Sequence, residues 1–149
     1  MARAISKGGW THIRYAHCRR PTRLDVACPR CGGLAHATKT SEVGLSTFTN
    51  DCSGTWDKND WNVVCTSCVY RASHLSYELL PPCYWQVEVG ALLVWAWNRD
   101  HLSFLARYLN GDDISGDAYA GLATYVPGDW KAAGKRVATT LMATLAQAT

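Results

Sequence analysis

Apolar and polar residues alternate in short runs over the first half of the chain and somewhat beyond it, and this two-residue period predicts β-strands. Gly, Pro, Asn, Asp and Ser bound the runs, as is typical of turns between strands. We therefore expect an antiparallel β-structure in this part of the chain. The predicted strands are residues 11–16, 24–27, 34–40, 43–48, 61–64, 69–76 and 84–89.

A helical period follows the paired prolines at 81–82, which interrupt both a strand ladder and a helix. Residues 90–97 are almost entirely apolar, so we expect them to be buried. Asn98 suits an N-cap, and a helix is predicted from there to Asn110-Gly111. Strands followed by helices predict the fold class α+β. The remaining predicted helices are residues 118–125, which are short, and residues 130–148.

Two Cys-x-x-Cys pairs are the most chemically specific feature of the sequence: Cys28-Pro-Arg-Cys31, followed by Gly-Gly, and Cys65-Thr-Ser-Cys68. Two such pairs can wrap one tetrahedral Zn²⁺, and the glycines permit a tight turn beneath the metal. Four thiolates fill the coordination shell, so we expect one structural Zn²⁺ and no chemistry at the metal. Iron in the same site is the alternative metal. Seven cysteines, an odd number, disfavour a disulfide framework.

The strands around these pairs predict a four-cysteine zinc ribbon, in which three or four antiparallel strands carry both metal-binding turns at one end. We call the turns knuckle 1 (residues 28–33) and knuckle 2 (residues 65–68). The segment between them exceeds the usual length of about 15–20 residues, so a long hairpin excursion is expected there. The expected organisation is a basic N-terminal segment (1–23), the ribbon (24–80), and a strand with a small helical C-terminal region (81–149).

The remaining cysteines, Cys18, Cys52 and Cys83, and the five histidines match no recognised ligand spacing. We expect these thiols to be buried or incidental, because free Cys packs as a small hydrophobe. His101 is predicted to be a partly exposed helix residue. The sequence has no glycine-rich phosphate loop and no paired-carboxylate motif, so a protein without catalytic activity is predicted. An enzyme that uses His101 or an unpaired cysteine is the catalytic alternative.

The net charge of +3 conceals an asymmetry along the chain. Residues 1–39 contain eight basic residues and one acid, whereas residues 40–149 contain seven basic residues and eleven acids. The basic residues 1–39, here called the basic front, favour an anionic partner, and the first candidate is nucleic acid, either DNA or RNA. A basic segment that docks onto the acidic remainder of its own chain is the alternative. The predicted phosphate contacts are Arg14, Arg19, Arg20, Arg23 and Arg30.

The high aromatic content suggests a second class of function, a protein-interaction module in which the zinc is purely structural. Such a module, a subunit or inhibitor of a larger assembly, is expected to expose an apolar patch near Trp85 or Trp95. We expect these tryptophans to lie in the core instead. Trp10 and Tyr15 stand among basic residues and are the better candidates for stacking on bases, although packing on the ribbon is the simpler expectation.

The expected location is intracellular and reducing, in the cytoplasm. No run of 18 or more uncharged apolar residues occurs, so no membrane span is predicted. The first ten residues lack the apolar stretch of a signal peptide. Neither a membrane partner nor a small-molecule substrate is expected.

Over about residues 24–76, the Cys-Pro-x-Cys-Gly-Gly knuckle and the second pair resemble the zinc ribbons of the transcription factor IIB type. The whole chain looks like small, poorly characterised bacterial and phage zinc-ribbon proteins. In those, a Leu-Trp-Ala-x-Asn-x-x-His-Leu-x-x-Leu segment follows the ribbon, and the counterpart here begins at Val94 and ends at Leu105. The later Pro127-Gly-Asp-Trp130 also has a counterpart. The resemblance implies a zinc ribbon with a helical tail and no catalysis.

Overall fold

The computed structural model describes residues 20–21, 23–39, 48–49, 60–76, 79–120, 123 and 126–148, which contain eight strands and two helices. All paired strands in these ranges are antiparallel, and the predicted α+β class is confirmed. The strands are β1 (Arg20–Pro21), β2 (Arg23–Ala27), β3 (Leu34–Lys39), β4 (Phe48–Thr49), β5 (Trp61–Cys65), β6 (Arg71–Leu75), β7 (Trp85–Val89) and β8 (Leu92–Ala96). The helices are α1 (Arg99–Asn110) and α2 (Gly128–Gln147).

Four strands form the main sheet, in the order β2-β3-β5-β6, and β1 pairs with β4 in a separate two-stranded sheet. Alternate residues of a strand point to opposite faces, so the main sheet has an inner and an outer face. The inner face is apolar and buried, which explains why the period-2 pattern was readable from the sequence. Its buried side chains are Leu24, Val26, Ala35, Ala37, Trp61 and Val63.

A second hairpin, β7–β8, follows the paired prolines, where the sequence predicted only one strand. The turn is made at Gly90, whose φ of 61° lies in the left-handed region that glycine adopts readily. Of the run 90–97, which is predicted to be buried, residues 94–97 are buried, whereas Gly90 and Ala91 are exposed and Leu92 and Leu93 are half-buried. The strand itself was missed because a strand buried on both faces reads as a continuous apolar run, without alternation.

Hydrogen bonds along the outer edge of β2 join the main sheet to the second hairpin. The amide of Asp25 donates to the carbonyl of Trp97 at 2.7 Å, and the amide of Ala27 donates to the carbonyl of Pro82 at 2.8 Å. The amide of Tyr84 returns a bond to the carbonyl of Asp25 at 3.0 Å. One edge of the main sheet is therefore closed by the chain itself, which reduces the hazard of an unpaired edge strand.

Helix α1 begins and ends where its capping residues predict. The Asn98 side chain accepts a 2.9 Å bond from the amide of His101, and Gly111 adopts a φ of 90° at the C-terminal cap. The amide of Asp112 donates to the carbonyl of Arg107, which satisfies one of the last free carbonyls. Both ends of this helix are therefore determined by capping residues that are its neighbours in the sequence.

Helix α2 packs against α1 and both strands of the second hairpin. It begins two residues before the predicted start and is kinked at Gly134, where φ is 38° and ψ is −107°. A Cβ at this position would lie 3.9 Å from the carbonyl oxygen of Leu109, so the kink occurs where α2 approaches the end of α1. The side chains of α2 that are buried in the core are Trp130, Val137, Ala138 and Leu141.

Several expectations fall wholly or partly outside the described residues. These are the predicted strands at 11–16 and 43–47, the placement of Trp10 and Tyr15, and the thiols Cys18 and Cys52. In the described part of residues 118–125, where a short helix is predicted, Ala118 and Tyr119 form a turn and Ala120 and Ala123 have 3₁₀-helical geometry. Tyr119 is buried. Neither α1 nor α2 has the length and apolarity needed to cross a membrane.

Candidate metal centre

The two knuckles bring four sulfur atoms together at one end of the main sheet. The Sγ atoms of Cys28, Cys31, Cys65 and Cys68 all lie within 4.8 Å of one another. The Sγ separation is 3.7 Å for Cys28–Cys68 and 3.6 Å for Cys31–Cys65. These separations are far longer than the roughly 2.05 Å of a disulfide. The predicted ligand set is therefore a cluster of free cysteines at metal-binding distance.

The sulfur spacing fits a tetrahedral metal ion with bonds of the length found for zinc. A regular tetrahedron with metal–sulfur bonds of about 2.3 Å has edges of about 3.8 Å. The Cys28–Cys68 and Cys31–Cys65 separations, 3.7 and 3.6 Å, differ from that edge by 0.2 Å or less. The donor set also fits, because four thiolates favour Zn²⁺ or iron over the hard cations Mg²⁺ and Ca²⁺.

Backbone amides of the knuckles point at the sulfurs in the same pattern twice. In knuckle 1, the amides of Arg30 and Cys31 donate to the sulfur of Cys28 at 3.3 and 3.5 Å. In knuckle 2, the amides of Ser67 and Cys68 donate to the sulfur of Cys65, both at 3.3 Å. The same Cys-x-x-Cys spacing produces the same bonds in both knuckles, because the first cysteine of each pair accepts from the amides two and three residues later. Such bonds stabilise thiolates and orient them towards a shared centre.

These amide bonds and the close approach of four thiols shift the pKa values of both thiols of knuckle 2. The amide of Ser67, followed by that of Cys68, lowers the pKa of the Cys65 thiol to about 6. The amide of Tyr70 also favours the Cys68 thiolate, but burial and the neighbouring cysteines raise the pKa of that thiol to about 12. Four thiolates at this spacing repel one another, so a fully ionised set requires a cation between them.

The knuckles are also joined directly to each other, which fixes the geometry of the site. The amide and the hydroxyl of Thr66 both donate to the carbonyl of Leu34, at 3.0 and 2.8 Å. Gly32 has a φ of 77°, in the left-handed region. A Cβ on Gly33 would lie 3.3 Å from the sulfur of Cys31 and 3.3 Å from the hydroxyl of Ser67. The glycine pair is therefore needed for both the turn and the close approach of the knuckles.

The structure places only part of the predicted phosphate-contact set. Arg23 and Arg30 are both exposed, but they lie at opposite ends of β2, with Arg30 inside knuckle 1. Arg14 and Arg19 fall outside the described residues, and only the backbone of Arg20 is described, in β1. The Nη2 atom of Arg23 lies 3.2 Å from Nε2 of His36. The described members of the set are thus spread along the sheet, not gathered at the knuckles.

The main sheet also holds a buried carboxylate that the sequence did not predict. Asp25 is 2% exposed, and its Oδ1 lies 2.8 Å from Nδ1 of His36. Its Oδ2 accepts bonds from the indole of Trp85 at 2.7 Å and from the amide of Arg99 at 3.0 Å. Alternation along β2 places Asp25 on the same face as Arg23, but its partners lie 60 and 74 positions away. No local signal could have identified them.

Among the described residues, His101 and Cys83 are the groups of the enzymatic alternative, and both are buried. His101 is 1% exposed, which makes the prediction of a partly exposed residue wrong. Its ring stacks on Tyr119, and burial lowers the pKa of His101 to about 3. Cys83 is buried as predicted, its thiol donates to the carbonyl of Ala96, and burial raises the pKa of that thiol to about 12. A neutral imidazole and a protonated thiol, both shielded from solvent, are poorly suited to catalysis.

No protein-family profile, curated protein or solved structure matches this chain.

Proposed function

We propose that the four knuckle cysteines bind one structural Zn²⁺ and that the protein is a non-catalytic nucleic-acid-binding module built on a zinc ribbon. The observation that carries the metal assignment is the mutual approach of all four sulfurs to within 4.8 Å. Cys28, Cys31, Cys65 and Cys68 would hold the ion. Four protein ligands leave no open position for water or substrate, so the metal would link the knuckles without taking part in a reaction.

Elemental analysis of the purified protein tests the metal assignment. We expect one equivalent of zinc per chain, and the variant Cys31→Ala should lose it. The matched control is Cys83→Ala, which removes a buried cysteine outside the cluster and should retain the zinc. Iron in place of zinc would contradict the identity of the ion. Equal metal loss in both variants would contradict the ligand set.

Nucleic acid is the proposed partner because the basic residues of the chain are concentrated at its front. Residues 1–39 carry eight of the fifteen basic residues and only one acid, and that acid, Asp25, is buried and hydrogen-bonded. Arg30 is exposed, and its own amide is bonded to a metal-binding sulfur, so its backbone would be held rigid. Arginines of this kind contact phosphates and give affinity with little choice of sequence.

Titration of labelled DNA and RNA at two salt concentrations tests this partner. We expect binding at about 50 mM salt that weakens strongly at about 200 mM, because bound phosphates release counterions. Arg30→Gln should weaken binding, while Arg107→Gln should not, since Arg107 is paired with Asp117 away from the knuckles. Absence of binding at low salt would overturn the proposal.

A protein partner is the weaker proposal. The patch expected near Trp85 and Trp95 is not formed by those residues, because each is only 4% exposed. The large apolar side chains that are most exposed among the described residues are Val69 and Leu79, at 79% and 70%. Single exposed apolar residues are ordinary on protein surfaces and do not define an interface.

A further inference from the structure

We infer that the outer face of the main sheet contacts the phosphates of single-stranded nucleic acid and that Arg71 is one of its binding residues. The inference rests on the proposed function, and it names the surface and the form of nucleic acid. Arg71 lies outside the basic front of the sequence, so only the fold associates it with that front. The residues in question, here called the cationic face, are Arg23, His36, Val64 and Arg71.

Strand register places these four side chains on one face. Val64 pairs with His36 on one side and with Arg71 on the other, and His36 also pairs with Asp25. Residues paired across antiparallel strands project to the same face. Arg23 is two positions from Asp25 along β2 and therefore projects to that face as well. Arg71 and Arg23 thus lie on the outer strands of one face, roughly 14 Å apart across the strands.

The cationic face is open to solvent except beside Asp25, where Trp85 and the start of α1 cover it. Arg23 and Arg71 are exposed, and Val64 between them is 42% exposed although it is apolar. The opposite face of the same sheet is largely buried, with Ala37 and Val63 at 0% exposure. The side chain of Arg71 has no acidic partner among the described residues. An anionic ligand could therefore approach this arginine without displacing an internal ion pair.

Asp25, the acidic residue on this face, adds little negative electrostatic potential to it. Both oxygens of Asp25 are occupied, by Nδ1 of His36 and by the N–H groups of Trp85 and Arg99. The carboxylate is also buried beneath these partners. Among the described residues that strand register places on this face, the exposed charges are consequently the two guanidinium groups. This distribution is complementary to a phosphodiester chain.

The shape of the face favours a single strand over a duplex. Four strands side by side span roughly 14 Å between the outermost backbones, which is wider than the ~12 Å major groove of B-DNA. A flexible single strand can follow the diagonal line from Arg71 to Arg23, with Val64 against its sugars. Among the described residues that strand register places on this face, none is a tryptophan, tyrosine or phenylalanine, and Trp85, which lies against Asp25, is only 4% exposed. Binding should therefore depend on phosphates and be indifferent to sequence.

The test is titration of the zinc-loaded full-length protein with oligothymidylate of about twenty nucleotides over a range of salt concentrations. The variants are Arg71→Gln and Lys131→Gln, which remove the same charge from the cationic face and from α2. Both residues are exposed. Arg71→Gln should reduce the slope of log K against log salt by about 0.7, the value for one phosphate contact on a single strand. Lys131→Gln should leave the slope unchanged, and Arg71→Lys should restore it.

Three results have distinct meanings. If Arg71→Gln and Lys131→Gln behave alike, the assignment of Arg71 is wrong while nucleic-acid binding itself stands. Tighter binding to a duplex of equal length would overturn the single-strand assignment. Failure of the wild-type protein to bind any oligonucleotide at low salt would overturn the proposed function, and this inference with it. Metal content and circular dichroism equal to wild type would show that each variant is folded.

Discussion

The indole Nε1 of Trp85 donates a 2.7 Å hydrogen bond to the buried carboxylate of Asp25. This contact joins the main sheet, which carries the metal centre, to the second hairpin. The same carboxylate oxygen accepts the amide of Arg99 at the start of α1, so one side chain links three elements. Hydrogen bonds to a charged group contribute about 1.5–3 kcal/mol each, which makes this junction a strong determinant of how the two parts pack.

Removal of the carboxylate should therefore destabilise the protein substantially. Asp25→Ala leaves buried donors of Trp85 and Arg99 without acceptors, and we expect the free energy of unfolding to fall by about 3 kcal/mol. Urea denaturation of the zinc-loaded protein measures the change. The control Glu88→Ala removes an exposed carboxylate and should stay within about 0.5 kcal/mol of wild type. Equal effects of the two substitutions would contradict the junction.

Asn98 should also contribute more than an ordinary N-cap. Its Oδ1 accepts the amide of His101 and the hydroxyl of Tyr119, and its Nδ2 donates to the carbonyl of Arg23. Asn98→Ala removes all three bonds, and we expect a loss of about 2 kcal/mol in thermal or urea unfolding. Tyr119→Phe removes one of them and should cost about 1 kcal/mol. The prediction is wrong if Tyr119→Phe lowers the free energy of unfolding as much as Asn98→Ala does.

Acid should weaken the protein through His101. Burial lowers its pKa from 6.5 to about 3 in the folded state, so the folded protein keeps this imidazole neutral. Between these values the unfolded chain binds a proton that the folded chain does not. Stability is therefore full above pH 6.5 and declines as the pH falls towards 3. His101 alone should remove about 2 kcal/mol between pH 7 and pH 5.

Urea unfolding of the wild type and His101→Gln at these two pH values isolates this contribution. Both proteins carry the same cysteines, so any acid sensitivity of metal binding is common to them. The wild type should lose about 2 kcal/mol more than the variant on acidification. Equal losses would show that His101 accepts a proton in the folded protein.

Chelation of the metal should loosen the main sheet before the helices. The sheet's knuckles depend on the ion, because metal binding and local folding are coupled. Helices α1 and α2 pack against each other and against the second hairpin, and Trp95, Phe104 and Leu141 are buried in these elements. In hydrogen exchange with a chelator present, peptides from residues 23–39 and 60–76 should gain deuterium faster than those from α1. Uniform acceleration would instead indicate one cooperative unit.

The kink in α2 should tolerate only glycine. Gly134→Ala places a Cβ on a backbone with a φ of 38°, where an L-residue is strained, and should cost about 2 kcal/mol. Gly128→Ala is the matched control, because nothing lies within 4 Å of a Cβ there and its φ is ordinary. Thermal unfolding of the two variants makes the comparison. A neutral Gly134→Ala would mean that the helix can straighten.

The sequence predicted those features that depend on neighbours close along the chain. The knuckle cysteines, the Asn98 cap and the Gly111 terminus all satisfy amides or carbonyls within four residues, and each was identified. Strand β8 was missed because burial on both faces removes the alternation on which strand prediction depends. The roles of Asp25 and Arg71 were missed because strand pairing and distant partners create them.

Lys39 and Trp61 face each other across β3 and β5, and the two knuckles meet only a few residues further along these strands. The ends of the intervening segment are thus held together by the sheet and by the proposed metal, whatever its length. Lengthening a chain segment whose two ends are fixed costs only about 0.6 kcal/mol for each doubling of its length. This interval is therefore the natural point of insertion for foreign sequence, and a reporter peptide placed between residues 50 and 59 should leave metal content unchanged.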